Sequence, residues 1–225
     1  MCLQQGIVKG QVLIGCSTSP GKYILPHLSG AFRKQFPDVQ FSVEVMTRQT
    51  VEEKLVAKQI RIGVLSLCSR NKELECCPLC TDDLVLIAAA NHLWATRGKI
   101  APAELKDAGW ILREEGAATR KLVLATLAEQ GLAADDLHVG MELGSVETVE
   151  AAVEAGHGVS FVSRVAVQRG LELGRIKTIN VTGPDVRRQI FLAHNKLRSC
   201  TCAQLKFREF IESSEGQQLI AGLVV

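Results

Sequence analysis

Long apolar runs are missing from this chain of 225 residues. The longest, Leu84–Ala90, falls far short of the roughly 20 residues that a membrane-spanning helix needs. Met1 to Gln11 has no charged head followed by a long apolar body, so no export signal is read there. An excess of one charge is missing too. Twenty-six Lys and Arg against 24 Asp and Glu leave a net charge of +2, too balanced for a chain that binds nucleic acid or a membrane surface by bulk charge. Catalytic signatures are also absent: there is no G-x-S-x-G, no P-loop and no H-E-x-x-H. The histidines, His27, His92, His138, His157 and His194, are scattered without a ligand-type pair. A nucleophile needs a base and a group to orient it, so the chain reads as a non-enzyme with no catalytic residue, no cofactor and no metal. Internal repeats and low-complexity segments are lacking as well.

Core material is plentiful. Hydrophobic residues make up 47% of the chain, which excludes disorder, and the length suits one large domain or two small ones. Cys2, Cys16, Cys68, Cys76, Cys77, Cys80, Cys200 and Cys202 all lie outside Thr81–Ser199. Without a secretory signal they read as reduced thiols of a cytoplasmic protein. Cys77 and Cys80 form a C-x-x-C, but Cys200-x-Cys202 is a tighter pair than zinc knuckles use, so buried small hydrophobes are the preferred reading. Charge is segregated along the chain. Glu129 to Glu154 carries seven carboxylates and no Lys or Arg, whereas Arg164 to Arg208 carries ten Lys or Arg and two carboxylates. Such opposite bias suits complementary faces within a fold or an oligomer, or simply solvated helix faces.

Patterning gives the fold class. Val12-Leu13-Ile14-Gly15-Cys16 reads as a strand buried on both faces. Ser19 and Pro20 suit the cap and first position of a helix that buries Leu25, Leu28, Phe32 and Phe36, with a kink or late start at Pro26. Phe41–Val45 alternates as a strand with one wet face. Thr50-Val51-Glu52-Glu53 reads as a capping box, and Ile62–Leu65 as another buried strand. The middle of the chain repeats this grammar, with strands at Leu84–Ile87, Trp110–Leu112 and Val159–Val162. Helices there are capped by Thr119, Ser145 and Ser163, and stopped at Gly131 and Gly156. Gln189–Ala193 returns as a strand, and Cys202–Ser213 supplies the closing helix. The expectation is an α/β protein of two lobes, residues 1–83 with 189–225 and residues 84–188. Crossovers near Asp83 and Gln189 form a hinge, with a ligand cleft between the lobes.

Ligands of open α/β sheets bind beyond the carboxyl ends of strands. Ser17, Thr18 and Ser19 follow the first strand, Arg113 to Thr119 follow the Trp110 strand, and Gly144-Ser145 follows Leu143. Each group offers hydroxyls and backbone N–H donors at a helix start. Any one of them has an ordinary capping explanation, and the recurrence of three points to an anion. Glu147 and Glu150 oppose that attraction, and Arg113, Arg120 or Lys22 are the cations available to offset them.

The run Gly10-Gln11-Val12-Leu13-Ile14-Gly15, followed by Tyr23-x-Leu25-Pro26 and Phe32-x-x-x-Phe36-Pro37, resembles the effector-binding domain of LysR-type transcriptional regulators. A second block, Ile111 to Arg120, stands where that family often has Gly-Ser-Gly-Thr-Arg. Glu142-Leu143-Gly144-Ser145 followed by Ala155 to Ser163 resembles a third. The resemblance covers roughly Gly10 to Ser213. It implies two Rossmann-like lobes on a two-strand hinge, a type 2 periplasmic-binding-protein-like fold. It also implies a cytoplasmic bacterial regulator whose small-molecule inducer acts on a DNA-binding winged helix-turn-helix that these residues do not include. A homodimer is implied, tetrameric in the full-length protein, with no membrane partner. Inducer contacts carry over onto Ser17 and Ser19, Thr119, and Gly144 with Ser145; Ser160 and Phe161 are expected to line the second lobe's wall. Two departures stand out. Lys58-Gln59-Ile60-Arg61 replaces Gly-x-(Leu/Ile)-Asp, a cation for an acid, and His92-Leu93-Trp94 replaces His-Pro-Leu. The second lobe has no cysteine, unlike the peroxide-sensing branch, and the blocks lean towards branches that control sulfur assimilation or carbon fixation. A solute-binding protein of transport with the same bilobal fold is the alternative, with an enzyme on those lobes behind it.

Overall fold

A computed structural model describes residues 8–224, so the reading of Cys2 lies outside the described residues. In chain order the strands and helices are β1 (Gly10–Cys16), α1 (Leu25–Gln35), β2 (Val39–Val45), α2 (Arg48–Val56), β3 (Ile62–Leu65), β4 (Leu74–Ala89), α3 (Leu93–Arg97), β5 (Lys99–Ile100) and β6 (Gly109–Arg113). They continue as α4 (Ala118–Glu129), β7 (His138–Leu143), α5 (Val146–Glu154), β8 (Ser160–Ser163), α6 (Arg164–Glu172), β9 (Ile176–Val181), β10 (Arg187–Asn195), α7 (Cys202–Glu212) and α8 (Ser214–Val224). Two compact units result: one runs up to Thr81 and resumes at Gln189, and the other is Asp82–Arg188. β4 and β10 are the strands that carry the chain from one unit into the other.

In the first unit the strand order is β2-β1-β3-β10-β4. β1 pairs in parallel with β2 and β3, while β10 runs antiparallel to β3. Val12 and Ile14 of β1 meet Leu28 and Phe32 of α1 and Phe207 and Phe210 of α7 in one core. A turn of π-helix, Pro20–Ile24, precedes α1, and Leu25 N–H closes it onto the Pro20 carbonyl. This wide turn is the structural form of the expected kink, because Pro26 has no N–H with which to continue an α-helical ladder. Ser19 is already helical, with φ −64 and ψ −49 and no side-chain cap bond, so it is not the cap that its position suggests. Gly21 is required by contact: a Cβ there would lie 2.3 Å from Cys16 Sγ. The helix of the Thr50 box starts earlier than its sequence suggests. Thr47 is the cap of α2, accepting from Thr50 N–H at 3.2 Å.

The second unit has the order β8-β4-β9-β5 in one sheet and a parallel β6-β7 pair beside it. Trp110 of β6 bridges to Val159 just before β8, donates its indole N–H to Leu105 O at 2.8 Å, and stacks on Phe161 at 6.1 Å. β5, β9, α3 and α8 have no counterpart in the sequence reading. Neither does the length of β4, of which patterning reveals only Leu84–Ile87. The thiols correct another expectation. Only Cys16 is buried among the described cysteines; Cys68 is exposed and the remainder are half-buried.

Candidate functional site

In the first unit, β1 ends at Cys16 and the chain turns at once into helix. Ser17 N–H donates to Val64 O at 3.0 Å, its Oγ donates to the same carbonyl at 3.5 Å, and its own carbonyl accepts from Gly21 N–H at 3.1 Å. The turn is thereby anchored on β3, with Ser17 and Thr18 half-buried and Ser19 buried. The first N–H groups of a helix have no intrahelical acceptor, so this end is polarised positively.

In the second unit the parallel register sets Arg113 opposite Leu143, which brings Arg113, Gly144 and Ser145 side by side. Arg113 is 7% exposed and grips Glu114 with two bonds, Nε to Oε2 at 2.7 Å and Nη2 to Oε1 at 2.8 Å. Its Nη2 also reaches Gly144 O at 3.3 Å. Arg120 donates to Arg113 O at 3.1 Å and to the Glu142 carboxylate. Both cations are therefore already matched by carboxylates, which corrects the expectation that they offset Glu147 and Glu150. Glu150 is turned elsewhere, since its Oε1 packs against Gly170 of α6. There, burial and then the neighbouring Glu154 and Glu147 push its carboxyl above the usual range. Ser145 does cap α5, accepting from Thr148 N–H at 3.2 Å.

Thr119 departs from its predicted role. Ala117 occupies the cap position of α4, and Thr119 sits in the first turn, 5% exposed. Its Oγ1 accepts from Arg188 Nη1 at 3.1 Å. That guanidinium also binds Asp82, Nε to Oδ2 at 2.8 Å and Nη2 to Oδ2 at 2.6 Å, while Ser163 Oγ donates to Asp82 Oδ1 at 2.6 Å. Ser163 thus spends its hydroxyl on Asp82 and makes no side-chain cap bond to α6. The Asp82–Arg188 pair is 2% and 8% exposed, and these are the first and last residues of the unit. Sequence reasoning missed both. The available signal is the Asp82-Asp83 pair heading an apolar run, with Arg187-Arg188 at the other crossover. Phe161 belongs to the core beneath Trp110 instead of a wall, and Ser160 is 1% exposed next to it in β8. Among the described residues no group of three or more His, Cys, Asp or Glu is placed to hold a metal ion.

Comparison with known proteins decides the family. The profile of the LysR substrate binding domain matches residues 5–215. The chain belongs to this family. Its relatives include an uncharacterised HTH-type transcriptional regulator of Methanocaldococcus jannaschii, 31% identical over 206 residues, covering 90% of this chain and 68% of that one. The HTH-type transcriptional regulator CbbR of Sinorhizobium medicae is 30% identical, covering 95% and 67% respectively. A probable RuBisCO transcriptional regulator of Cyanophora paradoxa is 29% identical, covering 90% and 63%. The chain thus spans about two thirds of the length of these curated relatives. Among solved structures it is similar to the effector binding domain of QuiR in complex with shikimate, with TM-score 0.78, 21% identity and coverage of 91% and 96%. It is likewise similar to the CcmR regulatory domain of Synechocystis in complex with 2-PG, with TM-score 0.81, 22% identity and coverage of 90% and 96%. At these identities the likeness concerns fold, which is the type 2 periplasmic-binding-protein-like α/β architecture of LysR effector-binding domains. Relatives named as regulators of transcription set aside the transport receptor as an alternative.

Proposed function

We propose that this chain is the ligand-sensing part of a LysR-type transcriptional regulator, and that its effector is a small anion. The observation that carries the anionic assignment is Thr119 under Arg188. Because the threonine oxygen accepts a charge-assisted bond from the guanidinium, one of its two lone pairs is occupied and its proton is turned outward, which favours a ligand that accepts. Amides and hydroxyls at the starts of α4 and α5 add donors of the same sign. Surplus cations supply little, since Arg113, Arg120 and Arg188 each hold a carboxylate. Two relatives of this fold are complexes with shikimate and 2-PG, both of which suit such donors. In this reading the effector shifts a conformational equilibrium by its differential affinity and involves no catalysis. DNA is contacted by a part of the protein outside this chain, and the working unit is a cytoplasmic homodimer. No described helix is long and apolar enough to cross a membrane.

The test is a thermal-shift screen followed by calorimetry with shikimate, 2-PG and other small carboxylates and phosphate esters. At least one is expected to bind, with affinity reduced about tenfold, roughly 1.4 kcal/mol, in Thr119→Val. Thr119→Ser retains it. A screen in which no anion binds, or a Thr119→Val variant that binds like the parent, overturns the reading.

A further inference from the structure

The opposite edge of the first unit's sheet is unlike the rest of the molecule. β10 runs antiparallel to β3 with Ala193 beside Gly63, so His194 and Asn195 emerge next to Arg61 at the edge where β3 begins. Ser17 to Ser19 follow the other ends of these parallel strands. A small pocket, its cavity about 10 Å³ and open to solvent, lies here, lined by Arg61, His194, Arg198, Ser199 and Cys200 among others. Arg61 donates to Ser199 O at 2.8 Å, and Arg198 donates to the Lys58 carbonyl, so both guanidiniums are held in place by backbone. Arg208 of α7 faces His194 Nε2 at 3.3 Å and Cys200 Sγ at 4.0 Å.

Two features mark the pocket as a place where an anion can bind. Among the described residues no carboxylate lies within ion-pair distance of Arg61, Arg198 or Arg208, while Glu75 lies 3.3 Å from His194 Nε2 and Glu212 acts with Glu75 and Arg208 on the nearby Cys77. His194 is 9% exposed, and its Nδ1 is buried without a partner, as is Arg208 Nε. A buried polar group left without a partner costs about 1–3 kcal/mol, so these two atoms favour a ligand that reaches them. The pocket's last residues, Ser199 and Cys200, immediately precede the Thr201 cap of α7, whose positive end adds to the same field. Arg61 is also the cation that replaces the acid in the Gly-x-(Leu/Ile)-Asp pattern.

We propose that this pocket is a second anion site, distinct from the effector contacts above, and that it takes a small tetrahedral oxyanion: sulfate, phosphate or a phosphate ester. Planar guanidiniums match such oxygens in pairs, and a tetrahedral anion has enough acceptors to engage several donors at once.

Sulfate, inorganic phosphate and glycerol 3-phosphate are titrated into the chain by calorimetry and thermal shift, at constant ionic strength set with sodium chloride. Sulfate is expected to raise the melting temperature where chloride does not. Its affinity falls at least tenfold in the Arg61→Gln, Arg198→Gln double variant, while Arg61→Lys, which keeps the charge, loses less. Far-UV circular dichroism verifies that the double variant is folded, and its response to the effector found in the screen above stays at the parental level. Tighter binding of the ester assigns the site to a phosphorylated metabolite; equal binding assigns it to the inorganic ion. Absence of any sulfate effect beyond chloride, or a folded double variant that binds sulfate like the parent, overturns the proposal.

Discussion

In the first unit, Phe32 sits among Phe41, Phe207 and Phe210 with ring centroids 5.3 to 5.8 Å away, edges meeting faces in a dry cluster. The second unit has a single stacked ring pair, Trp110 with Phe161, and a buried Asp82–Arg188 contact joined to Thr119 and Ser163. Both units are written in the same strand-and-helix grammar, yet one is closed by shape and the other partly by charge. An aromatic core tolerates rearrangement according to how well a gap collapses, whereas a buried pair fails outright when one partner goes.

The largest effects test that contrast directly. Phe32→Ala is expected to cost about 3–5 kcal/mol through the cavity it leaves. Asp82→Ala is expected to cost about 3–5 kcal/mol through the stranded guanidinium. Urea unfolding measures each, and amide exchange assigns the loss to its own unit. The distinction appears in rescue: Asp82→Leu with Arg188→Met restores most of the stability, and failure of that double variant would mean the charge pair is more than a replaceable closure.

Acid sharpens the comparison because the two units respond with opposite sign. Burial, then the nearby Arg208, holds His194 below its ordinary 6.5, against the pull of Glu75, with Arg61 and Arg198 on the same pocket. The unfolded chain therefore takes the proton first. The neutral ring's contribution is intact above about pH 6.5 and is lost as pH falls below it. Glu150 is raised above its ordinary 4.5 by burial, Glu154 and Glu147, with Arg175 opposing. Its contribution is complete below pH 4.5 and disappears as pH rises through the raised value. Stability curves of His194→Gln and Glu150→Gln between pH 4 and 8 should flatten in opposite directions; identical slopes would refute the assignment.

The smallest effect concerns a turn. α2 ends in a pair of bonds, Lys58 N–H to Leu55 O at 3.1 Å and Gln59 N–H to Lys54 O at 2.9 Å, which place Lys58 at φ +60 in the position glycine usually holds. Lys58→Gly is expected to raise stability by up to about 1 kcal/mol, read as a higher melting temperature, by relieving left-handed strain.

Much of this was legible in the sequence. The buried strands β1, β3 and β8, the closing helix and the Ser145 cap follow from period and capping chemistry, and the family blocks follow from their order. What escaped was non-local. β4 is one strand of 16 residues, but Thr81-Asp82-Asp83 interrupts its apolar run, and only the partner at Arg188 makes Asp82 acceptable inside it. Thr119 and Ser163 look like caps because hydroxyls at helix starts usually are; each instead answers a charge far away in sequence. Arg113 and Arg120 look like cations awaiting a ligand until their carboxylates are seen. His194 and Arg208, fourteen residues apart, give no motif at all.

The clasp between Asp82 and Arg188 has one more consequence. These two side chains mark where the second unit starts and stops, so that unit's two ends are fastened to each other by their own chemistry. A gene segment encoding that stretch is already a closed loop in all but covalent bond. Such a segment is suited to being lifted out, transplanted, or re-cut at a new opening without losing the knot that keeps its ends in place.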